Sequence, residues 1–169
     1  MLIKKIKKTW LSFAAAVVAA SLLFSNTANE ANAKDNSEAN TQIAPASNQG
    51  KVVELTDSEF KRIVGHPSAD MKRWEFKCDK PMLIDFYASW CGPCKMLAPS
   101  IDKMAKEFGG EIEVYKMNIE KAPKTAALFQ IDIIPSLLYV MPKSKKLQIE
   151  SGYVEENELR KNIKRRLIK

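Results

Sequence analysis

The stretch Trp90-Cys91-Gly92-Pro93-Cys94-Lys95 decides the fold predicted for this chain. It directly follows an apolar run over residues 82–88 (MLIDFYA), which is typical of a buried strand. After it, apolar residues recur at helical spacing, at Leu97, Ile101, Met104, Ala105 and Phe108. The sequence therefore predicts a strand, a tight turn and a helix, with two cysteines at the turn.

This arrangement makes the two thiols chemically different from each other. If Cys91 lies at the helix N-terminus, unpaired backbone N–H groups and the positive end of the helix dipole favour its thiolate. Cys94, three residues later, returns to the same face of the helix within disulfide reach. We therefore predict an exposed, activated Cys91, and a shielded Cys94 that resolves a mixed disulfide.

The first 33 residues have the organisation of a secretory signal peptide. Four lysines precede an apolar run over residues 11–24, and Ala31-Asn32-Ala33 offers a cleavage site. The run is too short to span a membrane comfortably, although an uncleaved anchoring helix stays an alternative. We predict that residues 1–33 are removed and that the protein is periplasmic. Residues 34–50 are poor in large apolar side chains and predict a disordered linker.

The charge of the chain gives little sign of a charged partner. The whole sequence of 169 residues carries a formal net charge of +7. Without residues 1–33 the chain keeps 23 basic and 19 acidic residues, a net charge of +4. No basic stretch is interleaved with aromatic residues, so we predict no nucleic-acid binding.

Other interpretations of the cysteine pair are less well supported. A zinc site needs a second pair of ligands, and only Cys78 and His66 remain to supply it. A structural disulfide is common in exported proteins, but a bridge across so short a loop stabilises a fold little. With one histidine in the chain, a Cys/His hydrolase is poorly supported. Cys78 has no sequence-local partner; we prefer a half-buried, unreactive thiol over an intermolecular disulfide or a regulatory thiol.

The remaining patterns alternate between strands and helices. Strands are predicted over residues 51–55, 112–119, 133–141 and 145–151, and helices over 56–64, 122–130 and 155–168. Gly65-His66-Pro67 predicts a helix end, and residues 71–80 predict an extra edge strand or a covering loop. Helices interleaved with apolar strands predict an α/β domain with a mixed sheet covered on both faces. The basic end of the last helix could contact an anionic membrane, but a solvated helix end is the preferred interpretation.

Two features outside the cysteine stretch strengthen the redox interpretation. Asp85 is a lone carboxyl in an otherwise apolar strand, so burial would keep it protonated and let it exchange a proton with Cys94. Its charge could alternatively be satisfied by Lys116 on the neighbouring strand. If the bond between Ile134 and Pro135 is cis, backbone groups beside it could pair with an extended substrate.

From about Lys51 onward the chain resembles the thioredoxin family. The matching motifs, in the family's order, are Asp85-Phe86-Tyr87-Ala88, Trp90-Cys91-Gly92-Pro93-Cys94-Lys95, Pro99, Lys116-Met117-Asn118-Ile119, Ile134-Pro135-Ser136 and Gly152. The resemblance implies a thioredoxin domain over residues 51–169, with a central mixed sheet of four or five strands and helices on both faces. Tyr87 stands where many members have tryptophan, and the 65–80 stretch is longer than in the smallest thioredoxins.

The resemblance also implies a role for individual residues. Cys91 would be the attacking thiolate and Cys94 the resolving thiol, and the two would form the redox disulfide. Asp85 would be the buried acid–base group, with Lys116 as its neighbour. The substrate-binding surface would consist of Trp90, Gly92, Pro93, Ile134, the cis-proline Pro135 and Gly152.

The residues between the cysteines indicate the direction of electron flow. Gly92-Pro93, and Ile134 before Pro135, resemble the reducing members of the family, whereas oxidising and isomerising members usually carry a histidine between the cysteines. We therefore predict a protein-disulfide reductase for exported proteins that contain disulfides, resupplied by a membrane dithiol electron donor. An oxidase or isomerase, a reductant dedicated to apocytochrome maturation, and a binding module with a structural disulfide stay open. We expect a monomer with no cofactor and no metal.

Overall fold

The computed structural model describes residues 48–168. The predicted leader and most of the predicted linker lie outside this range. In chain order the elements are β1 (Val52–Glu54), α1 (Asp57–Ile63), β2 (Gly65–Pro67), β3 (Trp74–Phe76), β4 (Met82–Tyr87), α2 (Gly92–Phe108), β5 (Glu113–Asn118), α3 (Pro123–Leu128), β6 (Ser136–Met141), β7 (Lys146–Ser151) and α4 (Glu156–Leu167). No helix in the described range is long and apolar enough to cross a membrane.

Five strands form the central sheet in the order β1-β5-β4-β6-β7. β5 runs parallel to both β1 and β4, whereas β6 runs antiparallel to β4 and β7. The predicted α/β fold with a mixed sheet is thereby confirmed. Because β4 and β5 are parallel, their C-terminal ends lie at the same edge of the sheet. The loop that leads into β6 lies at this edge too, since Ser136 pairs with Phe86 near the end of β4.

Side chains of β4 point alternately to the two faces of the sheet. Leu83 belongs to the core cluster formed with α2 and α4, whereas Met82, Ile84 and Phe86 belong to the cluster formed with α1. Asp85 has the same parity as Leu83 and therefore faces α2. The apolar residues predicted to form one face of α2 are all buried, which confirms the helical pattern: Leu97, Ile101, Met104, Ala105 and Phe108.

Hydrogen bonds at the start of α1 cap both α1 and α3. The Thr56 side chain accepts a hydrogen bond from the Glu59 backbone N–H, and the Glu59 carboxylate accepts one from the Thr56 N–H at 2.8 Å. This is the predicted capping box. Asp57 accepts hydrogen bonds from the backbone N–H and the hydroxyl of Thr125, at 2.8 and 2.6 Å, and so caps α3 from a neighbouring element. These hydrogen bonds lower the pKa of Asp57, although burial acts to raise it.

The 65–80 stretch forms a separate two-stranded sheet in which β2 and β3 are antiparallel. The helix ends before Gly65, as predicted, and Gly65–Pro67 additionally form β2. A strand, one of the two predicted alternatives, forms within residues 71–80, but it belongs to this separate sheet. Gly65 adopts a φ of +127°, and a Cβ there would lie 2.0 Å from the Glu75 carbonyl oxygen. Trp74 packs against Phe60, with ring centroids 6.2 Å apart. The hairpin therefore covers α1.

Candidate active site

Cys91 and Cys94 form a disulfide at the start of α2, with their Cα atoms 5.3 Å apart. Cys91 is the N-cap of α2 and has an extended backbone. Its Sγ accepts a hydrogen bond from the backbone N–H of Cys94 at an N···S distance of 3.1 Å. The positive end of the helix dipole and a backbone donor thus act on this one sulfur. When the disulfide is reduced, both favour negative charge on Cys91.

Both cysteines are buried in this oxidised form, Cys91 at 4% and Cys94 at 3% exposure. The prediction that Cys91 is exposed is therefore wrong for the disulfide form. Ala88 and Ile134 pack against the pair, because the loop before β6 lies beside the loop after β4. The disulfide is consequently set into an apolar surface and does not project from it.

The other predicted surface residues lie around the disulfide. Trp90 is 65% exposed, and its indole N–H donates to Glu120 Oε1 at 3.1 Å. Gly92 and Pro93, both exposed, form the first turn of α2 beside it. No local sequence pattern pointed to Glu120. Its only signal was its place just after β5, at the edge of the sheet where β4 also ends.

The loop before β6 completes this surface. The peptide bond between Ile134 and Pro135 is cis. The Pro135 carbonyl oxygen accepts a hydrogen bond from the Gly152 N–H at 2.7 Å. Gly152 has a φ of +97°, a left-handed conformation that suits glycine. The structure therefore places Ile134, Pro135 and Gly152 in one connected group on the disulfide side of the sheet.

Asp85 is a buried carboxyl on the α2 face of β4. It is 4% exposed, and its Oδ1 has no hydrogen-bond partner among the described residues. Burial raises the pKa of Asp85 to about 7, against the opposing effect of the positive charge on Lys116. Lys116 is the register partner of Asp85 on β5, and its Nζ lies 5.5 Å from the centroid of the Tyr87 ring. Lys116 therefore influences Asp85 through its charge and leaves Oδ1 without a hydrogen bond.

A small cavity connects the buried carboxyl to the cysteine pair. Its volume is about 200 Å³, and its lining includes Asp85, Cys94, Lys95 and Lys116. A water molecule occupies about 30 Å³ in the liquid, so the cavity has room for a short water chain. The cavity thus offers a route through water between the Asp85 carboxyl and Cys94.

Cys78 and His66 do not take part in this site. Cys78 is half-buried, as predicted, and its Sγ lies 3.7 Å from the Val64 carbonyl oxygen. Burial raises the pKa of Cys78 to about 11, so little of its thiolate is present at neutral pH. His66 Nδ1 lies 2.9 Å from the Pro67 carbonyl oxygen, and its Nε2 lies 3.7 Å from Glu75. Both residues belong to the hairpin region.

Comparisons with known proteins agree with this geometry. The sequence profile of the family described as Thioredoxin matches residues 51–165. A thioredoxin of Borreliella burgdorferi is 34% identical over 112 residues, which cover 66% of this chain and 94% of that protein. A thioredoxin of Haemophilus influenzae is 38% identical over 90 residues, covering 53% of this chain and 74% of the relative. A chloroplastic M-type thioredoxin of Spinacia oleracea is 36% identical over 117 residues, covering 69% of this chain and 58% of the relative.

A mixed sheet that carries a Cys-x-x-Cys disulfide at a helix N-terminus, above a buried carboxyl, defines a thiol–disulfide oxidoreductase. The chain belongs to the thioredoxin family, and the thioredoxins that it matches are protein-disulfide reductases. The match reaches nearly the full length of the Borreliella burgdorferi thioredoxin. It spans less than two thirds of the spinach protein.

Proposed function

We propose that this protein reduces disulfides of exported proteins in the periplasm, through Cys91 and Cys94. The observation that carries the proposal is the N-cap position of Cys91, whose sulfur accepts the Cys94 N–H at 3.1 Å. The leader pattern over residues 1–33 supports the location; it lies outside the described residues. Gly92-Pro93 between the cysteines supports the reducing direction.

The chemistry is a two-step exchange of disulfides. In the reduced enzyme, the Cys91 thiolate attacks one sulfur of the substrate disulfide. A bond forms between Cys91 and that sulfur, the substrate disulfide breaks, and its second sulfur leaves as a thiolate that takes up a proton. Cys94 then attacks Cys91 Sγ, which forms the Cys91–Cys94 disulfide and expels the first substrate sulfur. Two electrons have passed from the enzyme to the substrate.

Asp85 supplies the acid–base chemistry of the second step. The Cys94 thiol must lose its proton before it attacks, and the ionised Asp85 carboxylate can accept that proton across the cavity of about 200 Å³ that both residues line. A pKa of about 7 means that the carboxylate is substantially populated near neutral pH yet basic enough to take the proton. Lys116 is a positioning residue, because its charge sets how readily Asp85 ionises.

An apolar surface around the disulfide suits unfolded or extended segments of protein substrates. Large exposed side chains adjoin site residues in the sequence: Trp90 precedes Cys91, Ile133 precedes Ile134, and Tyr153 follows Gly152. Ile133 precedes the loop that packs on the cysteines, and Tyr153 follows the glycine that binds Pro135. A substrate segment laid beside this loop could pair with its backbone, while its cysteine reaches Cys91.

The catalytic cycle needs a source of electrons outside the described fold. Each turnover leaves Cys91 and Cys94 oxidised, as they are in this structure. Since exported compartments favour disulfides, the pair must be reduced again by a dedicated donor. We assign this role to a membrane dithiol protein that transfers electrons to Cys91 by the same exchange chemistry run in reverse.

A trapping experiment tests the proposal. The Cys94→Ser variant of the full chain should accumulate mixed disulfides through Cys91 in the producing cell, because the resolving thiol is absent. The matched Cys91→Ser variant, which retains the same number of cysteines, should accumulate none. Both variants should carry Cys78→Ser, so that any adduct reports on the pair alone. Equal adducts in both, or adducts confined to proteins that never leave the cytoplasm, would contradict the proposal.

A further inference from the structure

Two grooves flank the turn between β6 and β7, residues 142–145. One, of about 740 Å³, runs between this turn and β3. The other, of about 490 Å³, runs between the turn and the C-terminal turn of α4. The cations that line them, called here the basic end, come from three separate parts of the chain: Lys72, Arg73, Lys143, Lys145, Lys146, Arg165 and Arg166.

Few carboxylates offset this charge. Glu75 and Asp79 line the first groove, and Glu75 also faces His66 at 3.7 Å. Among residues 48–168, no acidic residue lines the second groove. Next to it, Arg166 Nη1 lies 3.4 Å from Glu150 Oε2. Two carboxylates thus line the grooves together with seven cations.

Most of these cations remain available to a partner. All except Arg166 are exposed. Within residues 48–168, none of Lys143, Lys145 and Lys146 makes an ion pair. Arg165 donates to the Asn162 amide oxygen, which is uncharged. The C-terminal carbonyl groups of α4 carry only a partial negative charge, so the basic end presents a positive surface.

The basic end lies opposite the cysteine pair. Met82 at the start of β4 pairs with Val140, next to the β6–β7 turn, whereas Cys91 follows the other end of β4. Six strand residues at about 3.3 Å each separate the two ends by about 20 Å. α4 spans the same distance, since it begins shortly after Gly152 on the disulfide side and ends at Leu167, which lines the second groove.

The N-terminal part of the chain joins the domain at this same end. The Asn48 side-chain amide donates to the Val114 carbonyl oxygen at 3.1 Å, near the start of β5. Gly50 lies against the last turns of α2, where a Cβ would meet the Ala105 carbonyl oxygen at 3.3 Å. The residues before Asn48 comprise the predicted signal peptide, residues 1–33, and most of the predicted linker.

We propose that the basic end docks on an anionic phospholipid surface and leaves Cys91–Cys94 facing away from it. The sequence pattern of α4 favoured a solvated helix end, but the fold brings five further cations to the same place. None of the large exposed apolar side chains lines either groove, so the interaction is electrostatic and peripheral. Anionic lipid headgroups match the charge of this end and need no apolar anchor, so a membrane is the proposed occupant and an acidic protein partner is an alternative outcome of the test. This inference does not depend on the direction of electron transfer.

Vesicle sedimentation tests the docking. The chain from Lys34 contains every element of the described fold, and it should bind phosphatidylglycerol-containing vesicles at low salt but not vesicles of phosphatidylcholine alone. The Lys143→Glu/Lys146→Glu variant should bind at least about 25-fold more weakly, taking about fivefold for each cation lost. A Lys61→Glu/Lys124→Glu control makes the same change of net charge on α1 and α3, and should bind nearly as well as the unchanged chain.

Insulin reduction provides the readout for folding and orientation. Both double variants should reduce insulin at the unchanged rate, and vesicle-bound protein should remain active, because the cysteines lie at the other end. Equal losses of vesicle binding in both variants would overturn the proposal by showing an effect of net charge alone. Retention on polyglutamate without vesicle binding would overturn it in favour of an acidic protein partner. Loss of insulin reduction on vesicle binding would overturn the proposed orientation.

Discussion

Replacing Asp85 with asparagine is expected to stabilise the protein, by an amount that depends on pH. Burial raises the pKa of Asp85 from 3.8 to about 7. Between these two values the unfolded chain has lost the Asp85 proton while the folded chain keeps it, so stability falls as the pH rises. One bound proton corresponds to about 1.4 kcal/mol for each pH unit. Over the interval of about three units, Asp85 therefore costs the folded state about 4 kcal/mol.

The asparagine variant lacks this cost because its amide does not ionise. At pH 4 the amide and the protonated carboxyl are similar in size and polarity, so the two proteins should differ by no more than about 1 kcal/mol. The advantage of the variant should then grow by about 1.4 kcal/mol for each unit up to pH 7, and stay constant above it.

Urea denaturation of the oxidised proteins at a series of pH values measures this difference. The dependence of unfolding free energy on urea should be the same for both proteins, because the surface exposed on unfolding is unchanged. Asp102→Asn, the same substitution at an exposed position of α2, serves as the control and should give no comparable slope. A pH-independent difference for Asp85→Asn would refute the reasoning. A slope of opposite sign would show that the attraction of Lys116 outweighs burial.

Three further predictions concern the neighbours of the site, the hairpin and the redox potential. Lys116→Met removes the positive charge that favours the ionised form of Asp85, so the pKa of Asp85 should rise above about 7. In urea denaturation, the stability of this variant should keep falling to a higher pH than that of the unchanged protein. Lys121→Met, on the exposed loop after β5, should leave the pKa of Asp85 unchanged. Gly65→Ala should destabilise the protein by more than about 3 kcal/mol in urea denaturation, since its Cβ would lie 2.0 Å from the Glu75 carbonyl oxygen. Gly152→Ala, at φ +97° with no atom within 4 Å of the new Cβ, should cost only about 1 kcal/mol, and equal losses would contradict the steric argument. Equilibration with glutathione should give a midpoint potential more reducing than about −200 mV, and a more oxidising value would favour an oxidase or isomerase.

The strand before the cysteines and the helix that begins with them could be predicted because each has a continuous pattern of apolar residues. β4 is an unbroken apolar run except for Asp85, and α2 repeats its apolar residues at helical spacing. The capping box before α1 is likewise complete within four residues. Such features depend on neighbours in the sequence, so a single sequence is enough to find them.

Other features depend on residues that are distant in the chain. β2 has only three residues and no apolar alternation, and it exists because β3 pairs with it. The burial of Cys91 comes from the loop around Ile134, which is more than 40 positions away. The hydrogen bond from Trp90 to Glu120 also crosses 30 positions. Local patterns carry no signal for these contacts.

The basic end could not be predicted from the sequence for the same reason. Its cations lie near residues 72, 145 and 165, in three segments that are far apart in the chain. Only the return of β6 next to the start of β4, and the direction of α4, bring them together. A surface that is assembled from such distant segments can therefore be recognised only once the fold is known.

Titration of the reduced Cys91 thiol tests the central claim most directly. Thiolate absorbance can be followed in the Cys94→Ser/Cys78→Ser variant, in which Cys91 is the one remaining cysteine. If the start of α2 stabilises negative charge on this sulfur, the thiol should ionise well below the value of about 8.5 that is usual for cysteine. Ionisation at about 8.5 or higher would contradict the account, since the helix N-terminus would then not activate the nucleophile.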